Sequence, residues 1–254
     1  MLKFIIRTVF RLSQSRQKSN PFFAQFPPNP KPSVSPKLSN MIFKIFNENE
    51  TSSIIEACKL HGCTVNAAMT AANHLAFCKL LQDGGYSRED VYLEHRFGFD
   101  IQRDCQPKPH EEYLGHFSVS QRLFFPYAYA DGESVFWKLA EECTKRMHDE
   151  TREEKYAKDL FTRWRLFNPE EVLNEFFSPL DRQDLIRLTV CSIVSGVRSF
   201  DLQEEQNDHT CRLHECLFKF LSHCTPCSLY HTSTTVNGKM SWVIEYDPSR
   251  VNSA

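Results

Sequence analysis

Two short spacings near the carboxyl terminus are the most pointed chemistry in this sequence. Cys211-x-x-His214 and Cys224-x-x-Cys227 each offer two metal-binding side chains a turn apart, with Cys216 and His223 beside them. Thiolate and imidazole at four tetrahedral corners are what zinc takes. The stretch between the pairs, however, contains Leu217-Phe218-Lys219-Phe220-Leu221, an alternating strand-like run. The reading therefore assigns no metal, and keeps Cys211, His214, Cys224 and Cys227 as the candidate ligands if a metal is held. As a redox pair, Cys224 and Cys227 would need a helix N-terminus to lower the thiol pKa. Pro226 and a following strand offer none.

His74 and Cys78, four apart in an Ala-rich run, present one face of a helix. They read as a core histidine beside a buried thiol rather than as ligands. Ser195-Gly196 lacks the Gly-x-Ser-x-Gly surround of a nucleophile elbow. Only eight glycines are present, and they form no phosphate-cradling loop.

Composition sets the frame for these groups. The chain is 41% hydrophobic and 24% charged, ordinary for a globular protein, and its 21 Phe residues supply ample core. No stretch approaches the roughly 18 apolar residues of a membrane span, so no integral membrane protein is expected. Charge is uneven: residues 1–46 hold eight Lys or Arg and no acid, leaving 22 bases against 32 acids in the remainder. An acidic body of net −10 argues against nucleic acid as a partner. Ten Cys at irregular spacing read as reduced thiols of an intracellular protein. The location expected is cytoplasmic, with mitochondrial as the alternative, because residues 1–20 are basic, Ser-containing and acid-free.

The elements that must position any site alternate between strand and helix. Residues 1–40 divide into the basic stretch and a linker or crossing segment with six prolines between 21 and 36. A body over 41–250 follows, then a short tail, 251–254. Met41–Phe46 is a short strand. Asn49 and Ser53 compete to cap the next helix, Ser53 with Glu56 as a capping box, and Gly62 stops it. Thr64 caps a small-residue helix to about Gln82, expected to be buried on more than one side.

Phe97, Phe99 and Ile101 face inward on one strand, and Phe117–Phe125 is another. An amphipathic helix carries Phe136, Leu139, Ala140, Cys143 and Met147 inward, with Glu141–Lys145 and Glu142–Arg146 outside. Asn168-Pro169-Glu170-Glu171 is a helix start, and Leu188–Ile193 is a buried strand. Leu229–Val236 and Lys239–Tyr246 flank Asn237-Gly238, a hairpin turn. The class is α/β, a mixed sheet flanked by helices.

His61-Gly62-Cys63-Thr64-Val65-Asn66-Ala67-Ala68 resembles the start of the C-terminal half of alcohol acetyltransferases and peptide-synthetase condensation domains. These belong to the chloramphenicol-acetyltransferase-like (CAT-like) superfamily. Further segments are similar, in the family's order. Phe97-Gly98-Phe99-Asp100-Ile101-Gln102-Arg103 resembles the strand leading to its structural arginine. Leu114-Gly115-His116-Phe117 resembles its Gly-Asn-Phe segment, with His116 in place of Asn. Phe136-Trp137-Lys138-Leu139-Ala140, Ser192-Ile193-Val194-Ser195-Gly196 and Thr235-Val236-Asn237-Gly238-Lys239-Met240-Ser241 follow.

The resemblance implies one lobe of a two-lobed fold that transfers an acyl group from a thioester to an alcohol or amine. It implies structural roles for Asp100, Arg103 and Gly115, and acyl-CoA or another acyl thioester as co-substrate rather than a bound cofactor. The family's general base lies in His-His-x-x-x-Asp-Gly, in the other lobe. None of the ten His here is followed by Asp at the fourth position, and His-His is absent. No catalytic residue is therefore assigned, and the partner expected is the missing N-terminal lobe. A non-catalytic binding module of the same descent is the alternative, and a zinc-binding protein the lesser one.

Overall fold

A computed structural model describes residues 40–86, 92–110, 118–127, 132–152, 190–196, 216–217 and 227–246. These form six strands and three helices: β1 (Asn40–Ile45), α1 (Glu48–Leu60), α2 (Val65–Asp83), β2 (Tyr92–Asp100), β3 (Ser118–Pro126), α3 (Glu133–Arg152), β4 (Val190–Gly196), β5 (Cys227–Val236) and β6 (Lys239–Tyr246). A single turn of 3-10 helix, Gln102–Asp104, follows β2.

The strands make one mixed sheet in the order β1-β6-β5-β4-β2-β3. The inner three, β5, β4 and β2, run parallel; the outer pairings are antiparallel. The α/β class read from the sequence is the class observed.

The local rules are visible in each element. Helix α1 starts at Asn47, not at the expected Asn49 or Ser53. Asn47 accepts from the Glu50 amide and the Glu50 carboxylate accepts from the Asn47 amide, both at 2.9 Å. Phe46 already donates to Met240 at the hairpin, so the chain must turn as soon as β1 ends. A capping box of this kind is worth about 0.5–2 kcal/mol.

Helix α1 closes in a Schellman motif: Cys63 donates to the Cys58 carbonyl, Gly62 to that of Lys59, and Gly62 sits at φ 62°. Thr64 caps α2, accepting from the Ala67 amide at 3.1 Å. The β5–β6 turn is Asn237-Gly238 with φ 48° and 77°, the paired positive values that favour Asn-Gly.

Helices α2 and α3 pack together on one face of the sheet, over β2, β3 and β4. Ala67, Ala68 and Ala71 of α2 are buried near Ala140, Cys143 and Met147 of α3, in one core with Phe97, Leu123 and Phe125. Small residues let the two helices approach closely while the aromatics fill the space above the sheet. Burying one side chain such as Phe125 contributes roughly 1.5–3 kcal/mol. On the wet side of α3 the Glu142–Arg146 pair forms, and Arg146 also lies over the Phe125 ring at 4.7 Å.

Strand β1 is an edge of the described sheet and leaves Met41, Ile42 and Phe43 exposed. Among the described residues no helix is long and apolar enough to cross a membrane.

Candidate functional site

The three parallel strands end on the same side of the sheet, and a cavity of about 780 Å³ lies there. Phe97–Asp100 of β2, Gly196 of β4 and Ser233–Thr235 of β5 form its floor. Thr64, Val65 and Asn66 at the start of α2 form one wall, and Met147, His148 and Thr151 at the end of α3 another. Crevices beyond the carboxyl ends of parallel strands are where open α/β sheets bind ligands. Walls of Phe, Val and Met broken by hydroxyls, the amides of Asn66 and Gln102, and the charged Asp100 and Lys108 suit an organic molecule with an apolar body and a few polar groups.

Two glycines make this geometry possible. A Cβ at Gly196 would stand 2.6 Å from the Asn66 amide nitrogen, so a larger residue there would have to push the Asn66 side chain aside. A Cβ at Gly98 would stand 2.6 Å from Ser195 Oγ, which itself pairs with Tyr230 Oη at 3.2 Å. The sequence pattern ends this buried strand at Ile193; in the structure it runs on through Ser195 and Gly196, and the glycine serves close approach.

Of the residues singled out by resemblance, Asp100 lines the cavity; its carboxylate accepts from the Gln102 amide at 2.8 Å and sets the turn after β2. Arg103 lies in that 3-10 turn, one residue past the cavity-lining Gln102. Gly115 and His116 lie outside the described residues. So do Cys211, His214 and Cys224, the 168–171 helix start, and residues 1–39 with their basic and Pro-rich stretches. Cys227 opens β5, and Cys216 contributes its carbonyl to Ser241 Oγ at 2.7 Å. Among the described residues no group of three His, Cys, Asp or Glu is placed to hold a metal.

A second polar constellation lies sealed beneath α2. Ser192 Oγ is 2.9 Å from His95 Nδ1, and His95 Nε2 is 3.1 Å from His74 Nδ1. His74 Nε2 reaches the Pro126 carbonyl at 3.2 Å, and Asn73 bonds to Ser192 Oγ. The carbonyl only accepts, so His74 carries its proton on Nε2, His95 on Nε2 in turn, and His95 Nδ1 receives from Ser192 or Asn73. His231 sits nearby with Nδ1 accepting from the Trp242 indole at 3.2 Å, while its buried Nε2 has no hydrogen-bond partner among the described residues.

Burial pushes His74 down to about 4 and His231 to about 3; burial, aided by the neighbouring imidazoles His74 and His231, holds His95 well below its usual value. The chain Ser192–His95–His74 therefore has the contacts of an activated nucleophile but is sealed from solvent. Ser192 and His95 are wholly buried, and charging His95 is opposed on every side. His74 thus stands as the core histidine expected beside Cys78, whose sulfur lies 3.4 Å away.

The sequence pattern assigns no role to His95, Ser192 or His231. The signal for His95 was its parity with Phe97: the inward alternation extends back through His95 to the buried Leu93.

No protein-family profile matches the sequence, and no curated protein matches it. Solved structures do match. The trichothecene 15-O-acetyltransferase from Fusarium sporotrichioides superposes with a TM-score of 0.58 at 11% identity, over 92% of this chain and 47% of that one. The epimerization domain from the third module of tyrocidine synthetase B gives 0.56 at 9% identity, over 89% and 46%. Polyketide synthase associated protein 5 from Mycobacterium tuberculosis gives 0.51 at 9% identity, over 83% and 48%.

The fold is that of a condensation-domain or CAT-like acyltransferase lobe. The chain spans about half the length of each of these structures. In this lobe the cavity at the strand ends is lined from four of the segments that carried the resemblance, those beginning at His61, Phe97, Ser192 and Thr235.

Proposed function

We propose that this chain is one lobe of an acyl-CoA-dependent acyltransferase, transferring an acyl group from a thioester to an alcohol or amine. Its part is to wall the substrate site, while the general base comes from a second lobe bearing His-His-x-x-x-Asp-Gly. The observation that supports this most is the acetyltransferase-like superposition over nearly the whole chain and only about half of the partner structure. A cavity that joins apolar walls to hydroxyls, with no described nucleophile and base in contact within it, fits a lobe that binds rather than reacts.

In this reading Thr64, Asn66 and Ser233–Thr235 hold substrate by hydrogen bonds, and Phe97, Phe99 and Met240 hold its apolar part. Asp100 and Arg103 shape the turn at the rim. The test is the reading frame upstream of Met1 in the transcript. An in-frame continuation carrying His-His-x-x-x-Asp-Gly, whose product turns over acetyl-CoA and loses turnover when that histidine is replaced, is the expected result. A stop codon closely preceding Met1, with a stable monodisperse protein lacking turnover, overturns it in favour of a binding module. Acyl transfer by the 254-residue chain alone that survives loss of all ten His defeats the mechanism outright.

A further inference from the structure

The Schellman motif that ends α1 brings two thiols together. Its two hydrogen bonds, Cys63 to the Cys58 carbonyl at 2.9 Å and Gly62 to that of Lys59 at 3.1 Å, fold residue 63 back over residue 58. In this motif the side chains at those two positions meet in an apolar contact. Here both are cysteine, 3% and 8% exposed and in the same core cluster, and both are reduced. We propose that Cys58 and Cys63 are a redox-modification site, forming a reversible disulfide that staples the turn between α1 and α2.

Their proximity also registers electrostatically. Burial first, and then Cys63, raise Cys58 to about 12; burial likewise raises Cys63, while a hydrogen bond with Cys58 opposes the rise. High thiol pKa values make the pair slow to react, so it responds to sustained oxidising conditions rather than to brief exposure.

The reaction is thiol–disulfide exchange with a small-molecule disulfide such as oxidised glutathione. The thiolate of Cys63, the more exposed sulfur, attacks the glutathione disulfide, forming a mixed disulfide and releasing one glutathione thiolate. Cys58 gives its proton to solvent, and its sulfur displaces the second glutathione from Cys63. Two protein thiols are oxidised, and one glutathione disulfide is reduced to two thiols.

The consequence reaches the cavity, because Cys63 directly precedes Thr64, Val65 and Asn66 in its wall. Stapling the turn fixes the cap of α2 and with it the position of Asn66. This inference is independent of acyl transfer.

The experiment is a peptide map of the full chain incubated with oxidised glutathione at mildly alkaline pH, then denatured and alkylated. Trypsin cuts after Lys59, so a Cys58–Cys63 disulfide joins two otherwise separate peptides. The expected product is that linked pair, lighter by two hydrogens than the two free peptides, released by reductant and absent from Cys63→Ser. It persists in Cys143→Ser, the variant lacking the other buried thiol of this core. Complete alkylation of both cysteines after treatment, or linkage of Cys63 to Cys143, overturns the proposal. Should Cys63→Ser fail to fold, the wild-type and Cys143→Ser maps decide it.

Discussion

Ser192 Oγ and His95 Nδ1 stand 2.9 Å apart with neither side chain exposed to solvent. On geometry alone this pair resembles an activated serine, yet it lies outside the cavity and away from solvent. It joins β4 to β2 beneath α2, and Asn73 completes it from the helix. Removing one partner from a buried hydrogen-bond network costs about 1–3 kcal/mol, the desolvation left unpaid at the other. Ser192→Ala is therefore expected to destabilise the fold by that amount in denaturant titration. In the acyltransferase proposed above, it leaves kcat within about twofold, as suits a residue outside the substrate cavity. A collapse of kcat at unchanged stability would make the pair catalytic instead.

The three neutral imidazoles give the fold an acid limit. In the unfolded chain each histidine protonates near pH 6.5, whereas folded His74 does so only at about 4 and His231 at about 3. The unfolded state therefore binds more protons below pH 6.5, and stability falls as pH falls. Each imidazole contributes up to roughly 1.4 kcal/mol per pH unit in that window. His74 alone accounts for about 3 kcal/mol between pH 6.5 and 4. Thermal melts from pH 7 to 4.5 are expected to show a steep decline, reduced in His74→Gln once its own baseline is subtracted. A flat profile would mean that these residues are hydrated.

Gly196 is the tightest point of the cavity wall. Its missing Cβ leaves room for the Asn66 amide, which stands within 3.0 Å of that position throughout. Gly196→Ala should displace Asn66 and cost about 1–3 kcal/mol through overpacking. Gly62→Ala is the useful contrast. No atom lies within 4 Å of its Cβ position, but φ is 62°, so the cost there is backbone strain of about 1 kcal/mol and the cavity is untouched. Ligand or substrate KM should change with the first substitution and not with the second.

Thr51 ties α1 to the hairpin. It is 2% exposed, and its hydroxyl accepts from the Met240 amide at 3.0 Å. Thr51→Val keeps the shape and orphans a buried amide. The expected loss is about 1–3 kcal/mol in chemical denaturation, against less than about 0.5 kcal/mol for the exposed Ser52→Ala. Equal effects would refute the role given to the hydroxyl.

What the sequence determined is what local chemistry dictates. Gly62 after a helical run, Thr64 before one, and Asn237-Gly238 between two alternating strands each solve a backbone problem within a few residues, and each stands where the pattern placed it. The alternation of Phe97 and Phe99 gave the buried face of β2 for the same reason: period two leaves one side of a strand for the core. The helix start was misplaced because several polar residues could cap it, and the choice of Asn47 came from the hairpin, nearly two hundred residues away, holding Phe46.

The network joining the core imidazoles, and the cavity, were beyond reach for a deeper reason. Ser192 meets His95, and Gly196 meets Asn66, only because β4 inserts between β5 and β2. Such contacts depend on strand order, which long-range packing selects and no local spacing encodes. Capping, turns and face were thus set by neighbours in sequence; the site was set by which strand lies beside which.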